Sequence, residues 1–273
     1  MSERRDEEAT RTRRRWFLAI LVPVATLVVL VGGWQLYVSL SGVAFYILPS
    51  PGRVFETLIA DWGILGPALV ATLTLTFEAL ALAVVGGVLL AVLMAQSRWA
   101  ELALYPYAVI LQVTPVVAIA PLLLVWVPST QAALLILAWI VAFFPILTNT
   151  AQGLKSVDHG LLALFDLYGA GRWRTLIHLR IPNALPYFMT GLKIGGGLAL
   201  IGAVVAELAA GSSGRGSGLA FRLIEANFRS NAPRAFAALV LLSLTGIAIF
   251  FATSLISWLV LRRWHESAAL RER

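Results

Sequence analysis

Four side chains able to do chemistry stand inside long apolar runs of this sequence: Glu78, Gln112, Lys193 and Glu207. A polar or ionisable group at membrane depth is costly, so each is read first as facing protein or water and as a candidate for contact with a polar solute. Glu78 fits a structural role best, pairing with another helix, because an acid in a pathway repels an anion. Lys193 lies about two turns into its run, where its stem can snorkel to the interface or its charge can meet a passing anion. Glu207 closes the same run before LAAGSSGRGSGL, whose glycines permit a tight loop that is either a gate or a flexible turn. Gln112 heads the segment QVTPVVAIAPLLLVW and is the fourth pathway candidate.

The sequence offers no catalytic or metal site. His159, His178 and His265 have no metal-ligand spacing such as H-E-x-x-H, and no Ser-His-Asp set or pair of intramembrane carboxylates occurs. Cysteine is absent, which excludes disulfides and thiolate metal sites. Without a G-x-x-x-x-G-K-[ST] loop the chain cannot cradle ATP in the usual way. A lipid-modifying membrane enzyme should show a polar cluster at one interface, and an ion-coupled secondary transporter should show paired ionisable groups near the midplane. Neither pattern is present.

The elements that position these residues are membrane helices. Of 273 residues, 59% are hydrophobic and only 13% charged, and a mean hydropathy of +0.85 lies outside the soluble globular range. Six spans are predicted, at about 16–38, 68–96, 105–127, 131–150, 187–210 and 235–261. The prolines at 106, 115 and 121, and the run Gly195-Gly196-Gly197, are tolerated where neighbouring helices or a cavity satisfy the backbone, and the glycines point to close helix approach or a pore role. The first run is too long and lacks the small-residue site of a cleaved signal, so it is read as a retained helix. Trp16, Trp34, Trp62, Trp99 and Trp258 are read as interfacial anchors.

Lys and Arg favour the segments on the N-terminal side of the membrane by about three to one, which predicts both termini in the cytoplasm. The net charge of +7 is assigned to cytoplasmic loops and anionic headgroups rather than to nucleic acid. The expected organisation is a solvated cytoplasmic polar tail at 1–15, a membrane domain at 16–264 and a cytoplasmic tail at 265–273. The longest inner loop, about 151–186, contains GAGRWRTLIHLRIPNALP. It reads as one helix from Val157 to Tyr168, ended by Gly169 at positive φ, and a second from Arg172 to Leu179, stopped by Pro182. A connector could be a few polar residues, so this loop is expected to present a surface. Arg172 and Arg174 offer charge to an acidic rim, and Trp173 offers apolar area to a groove.

This loop resembles that of the membrane permease subunits of bacterial ATP-binding-cassette importers. Gly169-Ala170 fits the central Gly-Ala of their motif, and Arg180-Ile181-Pro182 with Pro186 fits its distal part; the Glu expected six residues before Gly169 is replaced by Ala163, with Asp166 displaced by three. ILPSPGRVFETL, QVTPVVAIAPLLLVW, FFPILTNTAQGLKSVD and GGGLALIGAVVAEL are similar, in that order, to the nitrate, sulfonate, taurine and bicarbonate group of these permeases. The resemblance covers nearly all of the chain from Ile47 onward. It implies an all-α, type I importer permease of about six transmembrane helices, multi-pass in the bacterial inner membrane, with a cytoplasmic coupling-helix loop. It implies ATPase subunits that bind ATP and Mg, an extracytoplasmic substrate-binding protein, and a second permease copy in a homodimer or a paired permease; no cofactor is bound by this chain. Asp166, Gly169, Ala170, Arg172, Trp173, Arg174 and Pro182 become the expected ATPase-docking and coupling residues. The solute it implies is a small anion such as a sulfonate, nitrate or bicarbonate, with a vitamin precursor or other organic solute as the alternative.

Overall fold

The computed structural model describes residues 2–211 and 217–262, with the side chains of residues 2–20 excepted. The reading of the glycine-rich loop at 212–216, His265 and the tail expected at 265–273 fall outside the described residues. Among those described, every regular element is helical: α1 (Ser2–Ser41), α2 (Pro51–Ala60), α3 (Trp62–Gln96), α4 (Arg98–Val113), α5 (Val116–Trp126), α6 (Thr130–Lys155), α7 (His159–Leu167), α8 (Arg172–Thr175), a π turn (Leu176–Arg180), α9 (Ile181–Ala210), α10 (Leu219–Phe228) and α11 (Ala232–Leu261). Five of these segments are long and apolar enough to cross a membrane, six if α4 and α5 count as one span.

The starts of several helices follow from single residues. Ser50 Oγ accepts the Arg53 N–H at 3.4 Å, and Pro51 occupies the first turn of α2, where its missing N–H is no loss. Ser97 and Ser129 cap α4 and α6 in the same way, each accepting an N–H three residues on at 3.3 Å.

Two expectations are corrected. The third span is two helices bent by 101°. Pro115 forces Thr114 into an extended conformation (ψ 123°) and cannot donate to the helix, so α4 stops and α5 starts afresh. Pro106 and Pro121 lie inside α4 and α5 without ending them. Secondly, Pro182 does not stop the second loop helix: α8 runs through the π turn into α9. The wider turn, closed by Ile181 N–H to Leu176 O, accommodates a proline that has no N–H for the His178 carbonyl. Helix α1 begins at Ser2 and so includes most of the segment expected to be a polar tail; no Gly or Pro interrupts it before Pro23. The sequence reading is silent on α2, a ten-residue amphipathic helix too short to be seen as a span.

The chain divides into two units, Met1–Trp62 with Ala226–Ala237, and Gly63–Glu225 with Ala238–Arg273. In the first, Trp34 of α1 stacks at a tilt on Phe236 at 5.8 Å. The second is built on a seam between α6 and α9. A Cβ at Gly191 would lie 2.9 Å from the Pro145 carbonyl oxygen, and one at Gly195 would lie 2.9 Å from Ile146 Cγ1. Small residues there let the helices touch backbone to side chain, the association that van der Waals contact favours in lipid. Gly196 packs on Thr253 and Ile249 of α11, whereas Gly197 meets nothing, so two of the three consecutive glycines serve helix contact. The core continues through Ala142, Ile146, Leu147 and Leu154, all buried.

Candidate functional site

The loop after α6 is held at both ends and open in the middle. Asp158 Oδ1 accepts the N–H groups of Gly160 (2.7 Å) and Leu161 (3.2 Å) and so starts α7. The helix ends in a Schellman turn: Ala170 N–H donates to Phe165 O at 2.9 Å, Gly169 N–H donates to Asp166 O at 3.0 Å, and Gly169 takes φ +67°. Gly169 is therefore needed for its conformation, since a Cβ there would meet no atom within 4 Å. Asp166 supplies its backbone carbonyl, while its exposed carboxylate has no partner among the described residues.

The middle of the loop faces outward. Arg172, Trp173 and Arg174 are exposed, Trp173 at 69%, while Thr175 and Leu176 turn in and anchor the segment. Leu161, Leu164, Leu167, Tyr168 and Ile177 are exposed on the same loop, Leu167 at 84% and Tyr168 at 80%. Exposed apolar area of this density, rimmed by arginines, is of the kind that meets a protein partner or a membrane surface. Ala170 and Pro182 are half-buried.

Three contacts that single-sequence reasoning misses fix the ends. Arg180 Nη1 donates to Ala95 O, in the last turn of α3, at 3.0 Å. Asn183 Nδ2 donates to Gly153 O (3.1 Å) and Ser156 Oγ (3.0 Å), tying α9 to the end of α6. Lys155 pairs with Glu101, joining α6 to α4. Arg180 is visible as one of the basic residues of the loop, but nothing in its spacing names a carbonyl 85 positions away.

The four pathway candidates do not form one cluster, and none is bonded to another. Glu78 is exposed beside Phe77, Leu82 and Val85, on the side of α3 opposite the buried Leu75, Thr76, Ala79 and Leu80. The pairing expected of it is not made among the described residues, because helical periodicity turns position 78 away from the packed face. Gln112 is exposed one residue before the end of α4, next to the break, and Lys193 is half-buried on α9 without a described partner.

Glu207 is buried at 5% exposure. Its Oε1 accepts from Thr72 Oγ1 at 2.8 Å and its Oε2 from Ala220 N–H at 3.0 Å; Thr72 Oγ1 in turn accepts from Leu219 N–H at 2.8 Å. The carboxylate thus caps the first turn of α10 and joins it to α3, satisfying N–H groups that a helix start leaves open.

The first unit contains an ion pair of its own. Arg234 Nε lies 2.6 Å from Asp61 Oδ2, beside a cavity of about 460 Å³ lined also by Arg53, Glu56 and Asn231. The Arg53 guanidinium stands over the Phe45 ring at 4.6 Å. His159 and His178 are exposed, and the described residues hold no group of three metal-ligating side chains.

Residues 83–265 match the family described as binding-protein-dependent transport system inner membrane component. The chain is 34% identical over 254 residues to the riboflavin transport system permease protein of Chloroflexus aurantiacus, covering 91% of each chain. It is 34% identical over 233 residues to the formylaminopyrimidine transport permease protein of Halalkalibacterium halodurans, covering 85% of this chain and 91% of that one. To the taurine transport system permease protein of Escherichia coli it is 30% identical over 215 residues, covering 76% and 78%.

Proposed function

This chain belongs to the binding-protein-dependent transport system inner membrane component family, the permease subunits of ATP-binding-cassette importers, and we propose that it conducts a small nitrogen heterocycle, a vitamin or vitamin precursor, into the cell. It is a non-catalytic, multi-pass subunit of the inner membrane, and its family implies an ATPase and a substrate-binding protein as partners. The observation that supports the heterocycle is the greater identity and coverage of the relatives named for riboflavin and formylaminopyrimidine than of the one named for taurine. An anion is the second reading, favoured by the half-buried ammonium of Lys193.

In this reading the loop at 157–182 faces the cytoplasm, as the Lys and Arg distribution asks, with both termini on the same side. Trp173, Leu167 and Tyr168 enter a groove of the ATPase, Arg172 and Arg174 meet its rim, and Gly169 and Ala170 set the bend between the two short helices. The ATPase binds ATP and Mg, and its closure displaces the loop as a rigid body, rocking the attached helices between inward- and outward-open states. A second copy of this chain completes the pathway. The support for it is the break at Thr114–Pro115: Gln112 and Pro115 are exposed on a single chain, and irregular backbone at membrane depth is tolerated only against protein or water.

Uptake of labelled riboflavin, formylaminopyrimidine and taurine into cells expressing the transporter tests the solute. Chain-dependent uptake of either heterocycle, with taurine excluded, is the expected result. Uptake of taurine alone overturns the heterocycle and restores the anion.

A further inference from the structure

The buried carboxylate of Glu207 is not free for a solute: each of its oxygens is engaged, one by Thr72 and one by the first turn of α10. Gly218 is packed so closely against it that any Cβ at 218 would overlap the carboxylate. The partner that receives this arrangement is α3, through Thr72, ten residues after its first residue. The opposite end of the same helix receives the Arg180 guanidinium on the Ala95 carbonyl, from the π turn that joins α8 to α9. A guanidinium at the last carbonyls of a helix is favoured both by hydrogen bonding and by the helix dipole. Between Thr72 and Ala95 the helix runs about 35 Å without a proline. It is braced midway, where Gly87 packs on Ile146 and Leu147 of α6.

We propose that α3 is a strut pinned at two points, by Arg180 at Ala95 to the loop and by Thr72 and Glu207 to the start of α10, so that force on the loop loosens the Glu207 pin. The inference rests on the importer reading only for the source of that force. Thr72 and Arg180 are positioning residues in this account, and Glu207 is a structural acceptor rather than a contact for the solute. Removing the Thr72 hydroxyl deprives Glu207 Oε1 of its donor and the Leu219 N–H of its acceptor, two orphaned groups in a buried place. Removing the Arg180 guanidinium leaves the bonds of the Glu207 pin themselves in place but releases the far end of α3, so that the helix holds Thr72 against Glu207 less firmly.

The absence of cysteine makes the test direct. Ala220, 1% exposed, is replaced by Cys as the sole thiol of the full chain in lipid nanodiscs, where both faces meet a charged maleimide. In this background Thr72→Val is expected to raise the initial labelling rate about tenfold, while Thr72→Ser, which keeps the hydroxyl, leaves it within about twofold. Arg180→Met is expected to raise the same rate about threefold from the other end of the helix. A second reporter, Ala142→Cys, is buried in α6 and stays unlabelled in every variant. Amide exchange over residues 219–225 gives the same reading in the cysteine-free chain.

An unchanged rate in Thr72→Val overturns the pin, an unchanged rate in Arg180→Met overturns the strut, and an equal rise at Ala142→Cys replaces both with general loosening. Capture of an ATPase is scored separately on the same preparations. Its failure alongside the expected labelling pattern upholds the strut and removes the importer reading.

Discussion

The loop around Trp173 and the site around Glu207 use their side chains in opposite ways. At Glu207 the polar groups turn inward and find partners: carboxylate, threonine hydroxyl and two backbone N–H groups form a closed set at 5% exposure of the acid. In the loop, apolar side chains turn outward and stay uncovered by the described residues, with Leu167 at 84% and Trp173 at 69% exposure. A satisfied buried set fixes geometry and contributes to the stability of one chain, because removing any member orphans the rest. An unsatisfied apolar face contributes little to that chain and a great deal to a complex. Substitutions in the two places should therefore separate cleanly into losses of stability and losses of assembly.

The largest separation is expected at Glu207→Ala, which leaves the Ala220 N–H and the Thr72 hydroxyl without an acceptor. About 2 kcal/mol of stability should be lost, read as a fall of several degrees in the thermal midpoint of the purified chain, with capture of the ATPase by folded protein unchanged. Trp173→Ala should do the reverse: about thirtyfold weaker capture of the ATPase, the loss of a buried aromatic anchor worth about 2 kcal/mol, with no change in midpoint. Gly169→Val sharpens the comparison within the loop. A β-branched residue at φ +67° is strained by about 1–3 kcal/mol, so ATP hydrolysis should continue while coupled uptake falls about tenfold. Arg172→Ala, an exposed rim charge, should weaken capture only about twofold. Lys193→Met is the smallest: uptake of a heterocycle should stay within about twofold, and a larger loss would favour the anion.

What could be read from the sequence follows the range of the interactions. Apolar runs long enough to span, the Gly169 bend and the outward-facing basic and aromatic loop are local features, visible because chain neighbours alone produce them. The prolines of the third span show the limit. Pro106, Pro115 and Pro121 look alike in sequence, yet only Pro115 breaks the helix. Pro182 likewise reads as a stop but is absorbed by a π turn. The contacts that organise the two sites are invisible for a different reason. Thr72 and Glu207 lie 135 positions apart, Ala95 and Arg180 lie 85 apart, and a single sequence carries no record of which residues meet. For Glu78 the expected helix partner does not follow from its position in an apolar run, because helical periodicity places it on the exposed side of α3.

The central claim is that the exposed loop is the surface on which an ATPase acts. Its most direct test is site-specific photo-crosslinking from position 173 in membranes that contain the whole transporter, with position 250 of α11 as the comparison site. The account predicts a crosslink from 173 to the ATPase, none to it from 250, and loss of the 173 product when the ATPase is stripped from the membrane. A probe at 173 that is reached by reagent yet yields no ATPase adduct, in membranes where uptake is active, would contradict it.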